Sequence, residues 1–197
     1  MFSFLKKRKP EPTFVFAHIN ARAQPIDRGD RFEDPLDAVL KEAGVGEVTG
    51  GGCGLASGDS NEIEFDGIDI DLIDLGRGLP LVIQTLERLG APKGSRLEFD
   101  RNGKSEQMPF GVAEGIALYL NGTDLPAETY ANADVNAVIE CINAILAGKG
   151  AMMDFWEGPR ETALYLHGRS AEEMSAALAD FIKQEPLCQK SRLVRFA

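Results

Sequence analysis

The sequence predicts an α+β protein in which the order β-α-β-β-α-β occurs twice, so that two antiparallel sheets each carry helices on one face. Three observations support this prediction. Apolar residues at helical spacing indicate four helices, and short alternating or branched segments between them indicate strands. The last strands of the two halves also have similar sequences, SRLEF at residues 95–99 and SRLVRF at residues 191–196.

In the first half, capping residues and helix breakers mark two helices. Asp34 and Pro35 are expected to begin the first helix, which Gly44 ends. The second helix has Pro80 near its start and Gly90 after its last turn. Strands are expected at residues 14–19, 62–72 and 95–99.

The strand over residues 62–72 alternates between acidic and apolar residues, but the alternation changes phase at Gly67. A β-bulge at Gly67 would compensate for that change, because one extra residue offsets a phase slip. The prediction is one acidic face, made of Glu62, Glu64, Asp66, Asp69 and Asp71.

In the second half, Asp134 is expected to begin a helix that Gly148 ends. The last helix opens with the capping-box pattern of Ser170 followed three residues later by Glu173. Strands are expected at residues 115–120, 151–156, 162–167 and 191–196.

Asn102 and Gly103 indicate a tight hairpin turn, because both residue types tolerate positive φ angles. The chain is therefore divided into a flexible N-terminal tail (1–12), a first unit (13–103) and a second unit (104–197).

This element order, over nearly the whole chain, resembles tandem ferredoxin-like proteins, including small-ligand regulatory modules of the ACT type and some bacterial immunity proteins. The resemblance implies two helices on one face of each sheet, and an opposite face that meets either the other half or a partner. It is a resemblance of element order, so it assigns no site residues.

Composition narrows the classes of function. The net charge of −10 argues against nucleic acid as a partner, because phosphate binding needs a basic surface. Three cysteines without a C-x-x-C pair and two histidines indicate a cytoplasmic protein with no metal and no cofactor. No apolar run is long enough for stable membrane insertion, and no catalytic motif is present, so an enzyme is not expected. The sequence does not determine the oligomeric state, and a homo-oligomer is possible.

The glycine-rich stretch VTGGGCGLASG (48–58) does not fit a nucleotide-binding loop. The spacing G-x-G-x-x-G is missing, and a strand follows where a phosphate site needs a helix N-terminus. A structural strand and hairpin is favoured. The alternative is a ligand loop that uses Gly50, Gly51, Gly52 and Gly54.

Aromatic residues of the second half are expected on the helix-free face of its sheet. Tyr119, Tyr165 and His167 alternate with apolar core positions, and Trp156 ends a neighbouring strand. This face is expected either to be exposed for a partner or to pack against the first half.

Taken together, the sequence predicts a non-catalytic protein-interaction module, possibly immunity-like, for a basic protein partner. The residues expected to bind it are Glu64, Asp66, Asp69, Asp71, Tyr119, Trp156, Tyr165 and His167. The competing hypothesis is a sensor or regulatory domain for a small ligand, an amino acid or an anion.

Overall fold

The computed structural model describes residues 11–58 and 61–197. Of the predicted N-terminal tail, residues 1–10 lie outside the described residues. Within the described ranges, none of the helices is long and apolar enough to cross a membrane.

The first unit is a five-stranded antiparallel sheet with the strand order β2-β3-β1-β4-β5. Its strands are β1 (Thr13–Ile19), β2 (Gly46–Leu55), β3 (Ile63–Leu72), β4 (Ser95–Arg101) and β5 (Lys104–Phe110). Its helices are α1 (Pro25–Arg28), which continues through a π-helical segment (Gly29–Glu33), then α2 (Asp34–Ala43) and α3 (Leu75–Arg88).

Helices α2 and α3 cover one face of this sheet. The core between them holds Leu36 and Leu40 from α2, Val82 and Leu86 from α3, and alternate residues of the strands. On β1 these are Val15, Ala17 and Ile19, which leaves the side chains of Phe14, Phe16 and His18 on the opposite face.

The second unit is a four-stranded antiparallel sheet with the strand order β7-β8-β6-β9. Its elements are β6 (Glu114–Asn121), α4 (Ala127–Ala131), α5 (Val135–Ile145), β7 (Gly150–Glu157), β8 (Glu161–Gly168), α6 (Ala171–Gln184) and β9 (Arg192–Arg195). Val138 and Ile142 from α5 pack with Met174 and Leu178 from α6 over its core.

The predicted fold class is confirmed: each unit contains β-α-β-β-α-β, with its helices on one face of an antiparallel sheet. The predicted boundary after Gly103 is wrong. β5 pairs with β4 along its whole length, with Phe110 opposite Ser95 at one end and Lys104 opposite Arg101 at the other, and so β5 belongs to the first sheet. The turn itself is as expected, with φ of 54° at Asn102 and 76° at Gly103. The second unit begins after Phe110.

The capping residues act as predicted at the start of α5 and α6 and at the end of α2. The prediction that Asp34 caps the start of α2 is wrong, because α2 continues directly from the π-helical segment, Asp34 is itself in the helical conformation, and no side chain caps that start. Asp134 accepts hydrogen bonds from two backbone N–H groups at the start of α5, and Ser170 accepts one from Glu173 N at 3.2 Å. Gly44 ends α2 in the left-handed conformation. The helix expected to start near Pro80 begins five residues earlier, at Leu75, and Asp74 caps it.

The bulge predicted at Gly67 is absent from the described structure. β1 and β3 pair without interruption, from Thr13 opposite Leu72 to Ile19 opposite Asp66. The side chains of β3 therefore alternate regularly between the two faces through Gly67. The irregularities lie elsewhere, between Val48 and Gly50 and between Gly54 and Leu55 of the β2–β3 pairing. Asp66 therefore points to the same side as Ile68, and the single acidic face expected from the sequence does not form.

Candidate functional site

Two regions bring together the residues singled out above. The first is the seam, where the helix-free face of the second sheet meets the first unit through Arg22, Arg31, Glu62 and Asp66. The second is the open face, which is the helix-free side of the first sheet and carries Phe14, Phe16, His18, Phe65, Asp69 and Asp71.

The predicted aromatic residues of the second half lie in the seam. Tyr119, Trp156 and Tyr165 form one cluster with Ala117, Ala163 and the partly buried Phe196. Tyr165 is 1% exposed and Trp156 is 9% exposed. The prediction that Tyr119, Trp156, Tyr165 and His167 are exposed is therefore wrong, and these side chains are not accessible to a partner. The alternative, packing against the first half, is what the structure shows.

Glu62 and Arg22 make two kinds of polar contact across the seam. Glu62 Oε1 accepts a hydrogen bond of 2.6 Å from the hydroxyl of Tyr119 and another of 2.6 Å from that of Tyr165. Burial and these bonds to Glu62 raise the pKa of both tyrosines. The guanidinium carbon of Arg22 lies 4.0 Å from the centre of the Phe196 ring, in cation–π geometry.

Two buried carboxylates also lie at the seam, one from each unit. Asp154 reaches the seam because a bulge at Met153 shifts the phase of β7, and its Oδ2 accepts a bond of 3.1 Å from Arg31 Nη1. Asp66 Oδ2 accepts a bond of 3.0 Å from Ala23 N. The other carboxylate oxygen of each has no hydrogen-bond partner within residues 11–58 and 61–197.

The surroundings of these groups shift their pKa values. Burial, together with the charge of Asp154, raises the pKa of Asp66 to about 7. The hydrogen bond from Ala23 and the charges of Arg28 and Arg31 lower this pKa, but their effect is smaller than that of burial. Burial also raises the pKa of Asp154. His167 has the opposite shift: burial and the charges of Arg31 and Arg22 lower its pKa to about 3. Neither ring nitrogen of His167 bonds to any described residue.

The open face, by contrast, is accessible. Phe14 is 53% exposed, and Phe16, His18 and Phe65 are half-buried. The rings of His18 and Phe65 stack with their centres 4.0 Å apart. The ring of Phe16 covers Gly67, where a Cβ atom would lie 2.7 Å from it. Neighbouring strands thus form one continuous aromatic surface.

Acidic side chains flank this aromatic surface on both sides. Asp69 and Asp71 lie beside it on β3, opposite Phe16 and Phe14. Glu98 lies on the other side, on β4, and is paired with Arg96 at 2.7 Å. Among the described residues, no salt bridge involves Asp69 or Asp71. Their negative charges are therefore available to a partner.

Of the predicted acidic residues, only Asp69 and Asp71 lie on the open face. Asp66 is buried in the seam, and Glu64, which is exposed, lies at the irregular end of β3. Sequence reasoning missed the aromatic members of the open face. The signal was present in β1, where aromatic residues at 14 and 16 and His18 alternate with small or aliphatic core residues.

The glycines of the predicted loop lie in β2, an edge strand that forms a hairpin with β3. Their surroundings explain two of them: a Cβ atom would lie 2.2 Å from the Glu33 carboxylate at Gly51 and 2.0 Å from the Phe65 ring at Gly54. The structural interpretation of this stretch therefore accounts for Gly51 and Gly54. Within the described residues, no group of three or more His, Cys, Asp or Glu side chains is arranged to hold a metal ion.

Comparison with known proteins gives no family. No family model matches the chain, and no curated protein matches it. Three solved structures that resemble it are the first two RRM domains of a yeast poly(U) binding protein, the regulatory subunit of aspartate kinase from Thermus flavus, and a putative monooxygenase from Lactobacillus acidophilus NCFM.

Their similarity to the chain is low. Their identities are 10%, 16% and 11%, and their TM-scores are 0.25, 0.28 and 0.30. The matches cover 93%, 86% and 95% of this chain and 99%, 90% and 95% of the other chains, in the same order. At this level they say nothing about what the chain does.

Proposed function

We propose that this protein is a non-catalytic interaction module that binds a basic segment of a protein partner on the open face. The observation that carries the proposal is the row of accessible aromatic side chains with unpaired carboxylates beside it. Aromatic residues supply buried area and cation–π contacts to lysine and arginine, while carboxylates favour a basic partner and raise its association rate.

Aromatic side chains on a sheet surface are also used to bind nucleic acids, but the negative charge beside the open face favours a basic protein segment instead. Bases stack on such rings, but the phosphates need positive charge nearby. Here Asp69 and Asp71 lie beside the rings, and Arg96 is already paired with Glu98. The net charge of −10 acts in the same direction over the whole molecule.

The proposal is tested by capture of partners from the organism's own lysate with the tagged protein, at low and moderate salt. We expect a stoichiometric basic protein whose capture weakens with salt and falls at least tenfold in the double variant Asp69→Lys, Asp71→Lys. The control is Glu140→Lys with Asp180→Lys, which makes the same change of charge at exposed positions on α5 and α6. Equal loss in both variants, or no loss in either, would contradict the proposal.

A second candidate function, a sensor for a small polar ligand, is favoured by the unpartnered polar atoms of Asp66, Asp154 and His167 in the seam. Buried polar groups usually have hydrogen-bond partners, so the unpartnered atoms of these three residues would suit a ligand with both donors and acceptors, as an amino acid has. The measurement is thermal denaturation with amino acids at millimolar concentration. A rise in Tm that Asp66→Asn abolishes would favour this candidate over the first.

A further inference from the structure

Among residues 11–58 and 61–197, the edge strand β2 of the first unit lacks charged side chains along its middle. Among the described residues, β2 pairs only with β3, and it lies at the end of the strand order. Its segment Gly50–Gly54 contains four glycines and Cys53. The opposite edge, β5, carries Lys104, Glu106 and Pro109, which are residue types that discourage further pairing.

The fold does not require all four glycines. None of them has a positive φ angle, so no turn conformation demands glycine there. At Gly51 and Gly54 the space of a side chain is already occupied, by the Glu33 carboxylate and the Phe65 ring. At Gly52, however, a Cβ atom would meet no described atom within 4 Å. Because Gly52 pairs with Gly67, this empty space lies above the sheet on the open face, so no described contact accounts for the glycine.

Negative charge borders this open edge. Asp69 lies opposite Gly50, and a Cβ atom at Gly50 would lie 3.3 Å from Asp69 Oδ2, so the carboxylate reaches over the glycine. Further along, Glu47 lies directly opposite Asp71. Glu47 is paired with Lys41 at 3.7 Å, whereas Asp69 and Asp71 have no salt bridge among the described residues, so these two carboxylates supply the charge for a basic segment.

We propose that the edge of β2 binds an extended, basic segment of the partner as a sixth strand, a mode that rests on the proposed function. Main-chain hydrogen bonds to Gly50–Gly54 would hold the segment, as in other cases of strand addition. Lysine or arginine at every second position of the segment would lie on the open face and extend over Gly50 and Gly52 towards Asp69 and Asp71. The absence of side chains at these glycines clears that path.

The test uses NMR titration of the full chain with a synthetic eight-residue peptide of alternating lysine and threonine. We expect shifts and slowed hydrogen exchange at the amides of residues 50–54. The same peptide with alternate backbone nitrogens methylated keeps its charge but loses main-chain donors, and we expect it to bind at least tenfold more weakly. Gly52→Lys should weaken binding of the unmodified peptide at least tenfold, whereas the control Gly52→Ala should change it less than threefold.

Three outcomes would overturn strand addition. The methylated peptide could bind as well as the unmodified one, or neither peptide could bind at millimolar concentration. The free protein could also be a dimer in sedimentation with the amides of residues 50–54 already protected, which would make a second copy the occupant. The proposed function is judged separately, by partner capture: it fails if capture is insensitive to Asp69→Lys with Asp71→Lys, or falls equally in the control variant Glu140→Lys with Asp180→Lys.

Discussion

Asp66 is a carboxylic acid held at the seam with none of its surface exposed. Its folded-state pKa of about 7 lies above the ordinary value of 3.8, because burial disfavours the charged form. Between these two pH values the folded protein binds a proton that the unfolded chain does not. The contribution of Asp66 to stability is therefore fully present below about pH 4, falls as the pH rises to 7 and is constant above it.

Replacement of Asp66 by asparagine should remove this pH dependence. Relative to the Asp66→Asn variant, the original protein should lose up to about 4 kcal/mol of unfolding free energy between pH 4 and pH 8, as expected for a shift of about 3 pKa units. The measurement is urea unfolding at several pH values. His167, with its lowered pKa, contributes the opposite slope between about pH 3 and 6.5, but it is present in both proteins and cancels in the difference.

A difference between the two proteins that stays constant from pH 4 to pH 8 would show that Asp66 is not protonated in the folded state at neutral pH. The sequence could not reveal this environment. Asp66 lies in an alternating acidic strand, and alternation alone placed it with the other carboxylates. The uninterrupted pairing of β1 with β3 decides its side, and that pairing joins residues 47 positions apart.

At the scale of elements, local chemistry determined most of the helices. Asp134 and Ser170 cap α5 and α6 because their side chains bond backbone N–H groups only two or three residues away. The start of α3 was missed because proline favours the first turn, whereas here Pro80 is its sixth residue and Asp74 caps the helix. The segment Pro25–Glu33 has no comparable capping signal and was missed altogether.

Gly111 lies in the connection between the two units, where a substitution can be predicted to destabilise the protein. Gly111 has a φ angle of +104°, and a Cβ atom there would lie 1.9 Å from the backbone oxygen of Pro92. We expect Gly111→Ala to lower the free energy of unfolding by about 2–4 kcal/mol, because both the backbone conformation and the space exclude a side chain. Denaturant unfolding gives this value.

Gly103→Ala is the control for that substitution. Gly103 also has a positive φ angle, +76°, but a Cβ atom there would meet no described atom within 4 Å. The cost should be limited to the conformational strain, about 1 kcal/mol. If the two variants are equally stable, the close approach of the Pro92 backbone to Gly111 is not an energetic constraint.

The seam joins the two units at the scale of the whole molecule. Contacts between them include the two tyrosine bonds to Glu62, the ion pair of Arg31 with Asp154, and a bond from Asn20 Nδ2 to the backbone oxygen of Phe196 at 3.0 Å. Separation of the units would expose the aromatic cluster to water and leave Asp154 without its arginine. Each unit therefore stabilises the other.

One cooperative transition is the expected result in equilibrium unfolding. Trp156, the only tryptophan, reports on the seam by fluorescence, while far-ultraviolet circular dichroism reports on both units. We expect the two signals to give the same urea midpoint and the same slope. A fluorescence change that clearly precedes the loss of secondary structure would mean that the seam opens while the units stay folded.

The sequence by itself determined the repeated β-α-β-β-α-β order, the caps at the start of α5 and α6 and the turn at Asn102–Gly103, because these follow from hydrogen bonds and periodicities within a few residues. Only the tertiary structure decided which faces are covered. It buried Tyr119 and Tyr165 in the seam, and it left the aromatic row of β1 accessible beside Asp69 and Asp71. The physical reason is that strand register and the packing of the two units depend on contacts between residues far apart in the chain. A pattern within a few neighbouring residues contains no information about those contacts.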